Sequence, residues 1–152
     1  IIFALSEEEY FTSVTTPLAD LTKVRNDMLV RVNQERQAAG LAPVALNALL
    51  NNAAQGHTDD MLAQSYYSHN SLDGRTPAQR VAASGYEFKA MGENIAKGQQ
   101  SVKEVMDAWM NSIEHRENLL NGTYVDIGIG LSFGKNANGY EIIWSQDFGK
   151  PR

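Results

Sequence analysis

The chain has 152 residues, 43% of them hydrophobic, with a net charge of −5 and no cysteine. That length closes one hydrophobic core in one domain, and that apolar fraction excludes a disordered chain. The acidic balance excludes an electrostatic grip on nucleic acid or an anionic membrane, and the missing thiols exclude disulfides and thiolate metal sites.

No segment approaches the ~20 consecutive apolar residues of a transmembrane helix. IIFAL at the start is too short for a signal peptide and reads as its remnant or as an extended arm. Residues 1–19 read as an irregular lead-in, with the acidic run Glu7-Glu8-Glu9 followed by Thr, Ser and Pro17; a single domain then fills 20–150. The first helix runs from about Asp20 to Ala39, because Leu21, Val24, Met28 and Val32 recur at three- and four-residue steps, and Gly40 stops it. Asn47 caps a second helix through Gln64, with an apolar stripe of Leu50, Ala53, Ala54, His57 and Met61. Thr76-Pro77-Ala78-Gln79 joins a capping box to a proline at the first helical position and opens a short third helix that Gly85 ends. Ser101 to Glu104 is another capping box, and the fourth helix carries the stripe Val102, Val105, Met106, Trp109 and Ile113. From Val125 to Phe133 the pattern alternates, Ile127, Ile129 and Leu131 against small residues; a turn cluster at 136–139 and a second strand, Tyr140 to Phe148, complete an antiparallel hairpin. Helices followed by a hairpin predict an α+β layered domain.

Chemistry centres on three histidines and one carboxylate. His57 lies in the apolar stripe of its helix and reads as a buried, hydrogen-bonded residue. His69 sits in the polar loop 67-YSHNSLDGR-75, where an imidazole is free to act as a ligand. His115 lies off the stripe of the fourth helix, on a flank or in an unwinding end. Glu93-Asn94 falls between Gly92 and Gly98 in a stretch without hydrophobic alternation; the conservative reading makes Glu93 a turn cap and gives Asn94 a left-handed backbone. Two neutral imidazoles and one carboxylate suit a divalent cation such as zinc with a position left for water, and the same trio suits acid–base work. HExxH, GxSxG, Walker and GxGxxG motifs are absent.

The segments 56-GHTDDMLAQSYYSHNSLDGRTPAQRVAASGY-86, 92-GENIAKG-98, 109-WMNSIEHRENLLN-121, 127-IGIGL-131 and 144-WSQDFG-149 occur in the order found in the CAP superfamily, the cysteine-rich secretory, antigen 5 and pathogenesis-related 1 proteins. From about residue 25 to residue 149 the chain resembles the cysteine-free bacterial-type branch of these SCP-domain proteins. The resemblance implies an α-β-α sandwich with a small antiparallel sheet between helices, and secretion or cell-surface display. It implies a cleft in which His69, Glu93 and His115 hold zinc or another divalent cation, with Asn94, Ser68 and Glu114 as further binding residues. The cleft is expected to take a lipid-like or sterol-like small apolar ligand, or a protein partner. The alternative is a metal-dependent hydrolase of peptide or phosphodiester bonds with Glu93 as its catalytic base; a third reading is a scaffold whose His/Glu cluster is a mutually paired polar core. Two departures from the family pattern stand out. Ser112 occupies the place of a second cavity glutamate. Ser112-Ile113-Glu114-His115-Arg116 lacks the Pro-Gly of the usual Ser-Pro-Gly-His-Arg, which predicts that the fourth helix runs on.

Overall fold

The computed structural model describes residues 5–152, so the IIFAL arm, Leu5 excepted, lies outside the described residues. Six helices and four strands follow in the order α1 (Glu7–Thr15), α2 (Leu21–Ala38), β1 (Ala45–Leu46), α3 (Ala48–Gln64), α4 (Pro77–Ala83), β2 (Phe88–Lys97), α5 (Val102–Met110), α6 (Ile113–Leu119), β3 (Asp126–Asn136) and β4 (Gly139–Pro151). The sheet order is β1-β3-β4-β2. β3 and β4 form the expected hairpin, β2 adds antiparallel to β4, and the two-residue β1 pairs parallel to β3 at the far edge.

Strand alternation divides the two layers of helices. Ile127, Ile129, Leu131, Trp144 and Phe148 pack with Val24, Met28 and Val32 of α2 and with Val105, Met106 and Trp109 of α5. On the other face, Leu50 and Ala53 of α3 pack with Val81 and Tyr86, while Met61 packs with Ile95 and Ile143. The result is the predicted α-β-α sandwich. Fully buried Arg36, near the end of α2, locks one layer to the following loops. It donates to the carbonyls of Ala42 (2.8 Å), Leu119 (3.0 Å), Asn121 (3.0 Å) and Tyr124 (3.1 Å).

Three expectations are corrected. The lead-in is helical: Ser6 accepts from the Glu9 backbone at 3.1 Å while the Glu9 carboxylate accepts from the Ser6 backbone, a reciprocal cap that makes the acidic run the first turn of α1. The stretch around Glu93 is a strand rather than a turn, with Glu93 opposite Asp147 and Asn94 opposite Gln146, so neither the turn cap nor the left-handed Asn94 occurs. The fourth helix does not run on. It stops at Met110, Ser112 takes an extended backbone (φ −113°, ψ 122°), and α6 starts afresh at Ile113, which is 66% exposed and belongs to no core stripe.

Candidate functional site

Neighbouring residues of a strand point to opposite faces. Glu93 therefore faces the α3/α4 layer and Asn94 faces the α2/α5 layer. Asn94 is fully buried; its Nδ2 donates to the His115 carbonyl (3.1 Å) and to Gln146 Oε1 (3.2 Å), and its Oδ1 accepts from Asn118 Nδ2 (2.9 Å). Asn118 also donates to the Glu93 carbonyl (3.1 Å). Asn94 is thus the bracket that fastens α6 along β2, and it offers no atom to a ligand.

The Glu93 side chain is 2% exposed and fully engaged. Arg80 Nη2 donates to Oε1 (2.9 Å) and Oε2 (3.2 Å), and His69 Nδ1 lies 2.8 Å from Oε2. Arg80 is itself held by Ser71 Oγ (3.1 Å) and the Arg75 carbonyl (3.2 Å). The cross-strand neighbour Asp147 is 1% exposed and shares a hydrogen bond with Glu93. Two buried carboxyls this close cannot both ionise. Burial, then the Glu93 charge, pushes the Asp147 carboxyl well above the ordinary value. Burial also works to raise Glu93, but the His69 and Asp147 hydrogen bonds and the Arg80 charge outweigh it and hold Glu93 below the ordinary value. Glu93 is the carboxylate of the pair, and Asp147 is the protonated donor.

This assignment predicts the behaviour of Asp147→Asn, which keeps a donor toward Glu93 without a titrating group. A carboxyl raised in the fold contributes stability below its unfolded value, 3.8 for Asp, and loses it as pH rises through the native value. The variant is therefore expected to gain on the wild type progressively as pH rises above about 4, in melting temperatures measured across pH. A gap that stays constant with pH would show that Asp147 does not titrate in the fold.

The two remaining imidazoles behave differently. His57 is 1% exposed, and its Nε2 lies 2.8 Å from the Ser68 carbonyl, so it anchors the loop that carries His69. Burial lowers its pKa against the pull of the Glu93 charge. His69 is half exposed (51% of its side chain), with the buried Glu93 fixing its Nδ1. His115, half-buried on α6, has Nδ1 at 2.7 Å from Oγ of Ser112, the residue at the N-cap position of α6, whose hydroxyl makes no capping bond to the helix backbone. Burial and then the charge of His69 lower its pKa. Ser68 is exposed, its hydroxyl taken up by the Asn70 backbone (3.3 Å), and Glu114 is exposed beside His115.

In each of these two rings Nδ1 is tied and Nε2 is left for another partner. Metal-ligating histidines characteristically donate their second nitrogen to a carboxylate, carbonyl or hydroxyl that sets the ring. His69 and His115 fit that pattern; Glu93 fits the orienting carboxylate and not a direct ligand, since a metal at its oxygens would have to displace Arg80. Among the described residues no group of three His, Asp or Glu side chains is arranged to hold a metal ion, so a cation here would complete its shell with water.

The sequence model of the cysteine-rich secretory protein (CAP) family matches residues 29–148. The chain belongs to this family. It is 33% identical over 140 residues to the uncharacterized protein YkwD of Bacillus subtilis (strain 168), covering 92% of this chain and 52% of YkwD. It is 31% identical to the uncharacterized membrane protein YlbC of the same organism, covering 84% of this chain and 35% of YlbC. The chain thus spans about half of one curated relative and a third of the other. Among solved structures, an outer surface protein of Borrelia burgdorferi superposes with a TM-score of 0.75 at 24% identity, covering 88% of this chain and 96% of that one, a likeness of fold. An extracellular protein with an SCP domain from Bacillus anthracis str. Ames superposes with a TM-score of 0.69 at 26% identity, covering 85% of this CAP chain and 43% of that one. No helix among the described residues is long and apolar enough to cross a membrane.

Proposed function

We propose that this CAP domain is an extracellular or cell-surface binding module, and that its business end is the pair of oriented imidazoles His69 and His115. The observation that carries the reading is the buried Arg80–Glu93 pair gripping an exposed His69: a carboxylate 2% exposed sets a ring 51% exposed. Such an arrangement fixes a ring for a partner outside, because the carboxylate itself is out of reach. A divalent cation such as zinc suits the two free Nε2 atoms; bound there, it would supply a Lewis-acidic centre with open positions for a ligand or partner group. The surface setting is supported by the outer-surface and extracellular relatives.

Hydrolysis with Glu93 as general base is disfavoured by the same geometry. A base must reach its proton, and Glu93 has both oxygens engaged and a lowered pKa. The adjacent hydroxyl, that of Ser68, accepts from the backbone of Asn70 rather than pairing with the His69 ring. For the lipid-like ligand, the better-matched concavity lies elsewhere, a cavity of about 520 Å³ lined by Leu29, Val30, Leu41 and Pro43 on the outer side of α2.

Calorimetric titration with zinc is expected to give one site and a rise in melting temperature. His69→Ala and His115→Ala should each abolish the heat, and Glu93→Gln should weaken it by about 10–100-fold, the usual cost of losing an orienting partner. Absence of heat and of thermal stabilisation in the wild type would leave the cluster as a structural polar core. Chelator-sensitive turnover of a peptide or phosphodiester substrate that Glu93→Gln abolishes would make the protein an enzyme instead.

A further inference from the structure

α1 reverses the usual orientation of a surface helix, in which apolar residues face the core and polar ones face water. Its inward residues are polar. Glu9 pairs with Gln34, the C-cap Thr16 pairs with Asp27, and Ser13 is buried. Its outward residues are apolar: Phe11 is 66% exposed and Val14 37%. Among the described residues no α1 side chain enters an apolar core cluster.

The cavity of about 520 Å³ on α2 adjoins this helix, because Val30 and Gln34 line both it and the crevice beneath α1. Leu29, Val30, Leu41 and Pro43 make its wall apolar. Phe11 cannot fill the cavity of its own chain. Two residues past Glu9, it points ~160° away from the side that meets α2.

A ring in water and an apolar hollow therefore stand side by side. A small apolar molecule would fill the hollow and leave the ring bare. An anionic membrane is disfavoured by the exposed Glu7 and Glu8 within a turn of Phe11 and by the net charge of −5. A second copy of the chain covers ring and hollow at once.

We propose that this face joins two copies of the chain about a twofold axis, each Phe11 seated in the other copy's cavity between Leu29, Val30, Leu41 and Pro43. A twofold contact is reciprocal, so both rings and both hollows are used. A buried aromatic ring removes ~150–250 Å² from water, so two rings and the walls they cover amount to roughly 600–1,000 Å². Val14 and Val30 at the rim bring the contact near the ~1,200 Å² low end of specific interfaces, which suits a reversible dimer in the micromolar range. The dimer is independent of metal at the imidazoles.

The test is sedimentation velocity of the whole chain in chelator, over a concentration series spanning the micromolar range. A reversible monomer–dimer equilibrium that stops at the dimer is expected. Phe11→Gln removes the ring and keeps a good helix former. Gln37→Trp fills the hollow from an exposed position on its wall. Each variant alone should dimerise at least about tenfold more weakly. Mixed together they should form a heterodimer, since one keeps the hollow and the other keeps the ring; this recovery also shows that both are folded. His69→Ala, and Phe3→Ser outside the described residues, should dimerise like the wild type. The proposal is overturned if the wild type stays monomeric or grows beyond a dimer, if either single variant dimerises like the wild type, if the mixture shows no recovery, or if Phe3→Ser abolishes the dimer. Saturable binding of a fluorescent fatty acid to a monomeric wild type would assign the cavity to a small apolar ligand instead.

Discussion

Arg80→Met is expected to destabilise the fold by ~3–5 kcal/mol in urea unfolding at neutral pH, the cost of stranding a buried charge by removing its partner. Arg80 is the only cation in hydrogen-bond contact with Glu93 among the described residues besides the titratable His69. Its loss leaves a carboxylate facing the protonated Asp147 carboxyl in a site with almost no access to water. Methionine retains most of the packing volume, so the loss would be electrostatic. The double variant Arg80→Met/Glu93→Gln should recover much of it, because no charge then remains to be stranded, and the coupling between the two sites should be ~1–3 kcal/mol. Arg80→Lys should fall between, since an ammonium supplies charge without the two-oxygen fork. An Arg80→Met loss below ~1 kcal/mol would mean that Glu93 is neutral in the fold, and the account of His69 as a ring set by a carboxylate would fail with it.

The fold was far more legible in the chain than the site. Helix periods, capping boxes and turn residues give α2 through α5 and the hairpin with ends close to those observed. α1 carried its own signal, Ser6 three residues before Glu9, but a triplet of glutamates also reads as a solvated charge run. β2 lacked a signal: its two central side chains serve opposite layers, one a polar network and one a helix bracket, so no apolar alternation marks it. The break before α6 was hidden because no Gly or Pro announces it; Asn111 is the C-cap of α5, and the extended Ser112 separates the two helices without a side-chain capping bond. For the site, His69, Glu93 and His115 come from the motif order of a family. Arg80 and Asp147 could not come from either source. Asp147 does fall on the inward phase of its strand, in step with Ile143 and Ser145, which marks it as a buried carboxyl. What it touches depends on the β2–β4 register, and that pairing joins residues more than fifty positions apart without any local rule to fix it.

Gly128→Ala should cost a large part of the protein's stability. A Cβ there would stand 2.0 Å from the Leu50 carbonyl carbon, 2.2 Å from its oxygen and 2.4 Å from the Asn51 nitrogen, all backbone atoms of α3 that no rotamer change can move. The neighbouring small position, Gly130, meets the Ala54 carbonyl oxygen at 2.4 Å in the same way. The alternation of large and small residues in 127-IGIGL-131 is thus the imprint of a helix lying flush on a strand. Asn51 Oδ1 accepts from the Ile129 backbone at 2.9 Å, and Gln55 clasps Leu131 with bonds of 3.0 and 2.8 Å; these three bonds form only at that close approach. Overpacking against side chains usually costs ~1–3 kcal/mol. Here the helix must lift from the sheet and break those bonds, so the loss should exceed ~3 kcal/mol, a large part of the ~5–15 kcal/mol available to a domain. Gly56→Ala in the same helix, where the added carbon meets open space, should instead be neutral or stabilising by up to ~1 kcal/mol. Because α3 also carries His57, which anchors the loop of His69, any folded fraction of Gly128→Ala should also lose the zinc response proposed for His69 and His115. If Gly128→Ala unfolds within ~1 kcal/mol of the wild type, α3 does not sit on β3 at this distance, and the position of the His69 loop would have to be derived anew.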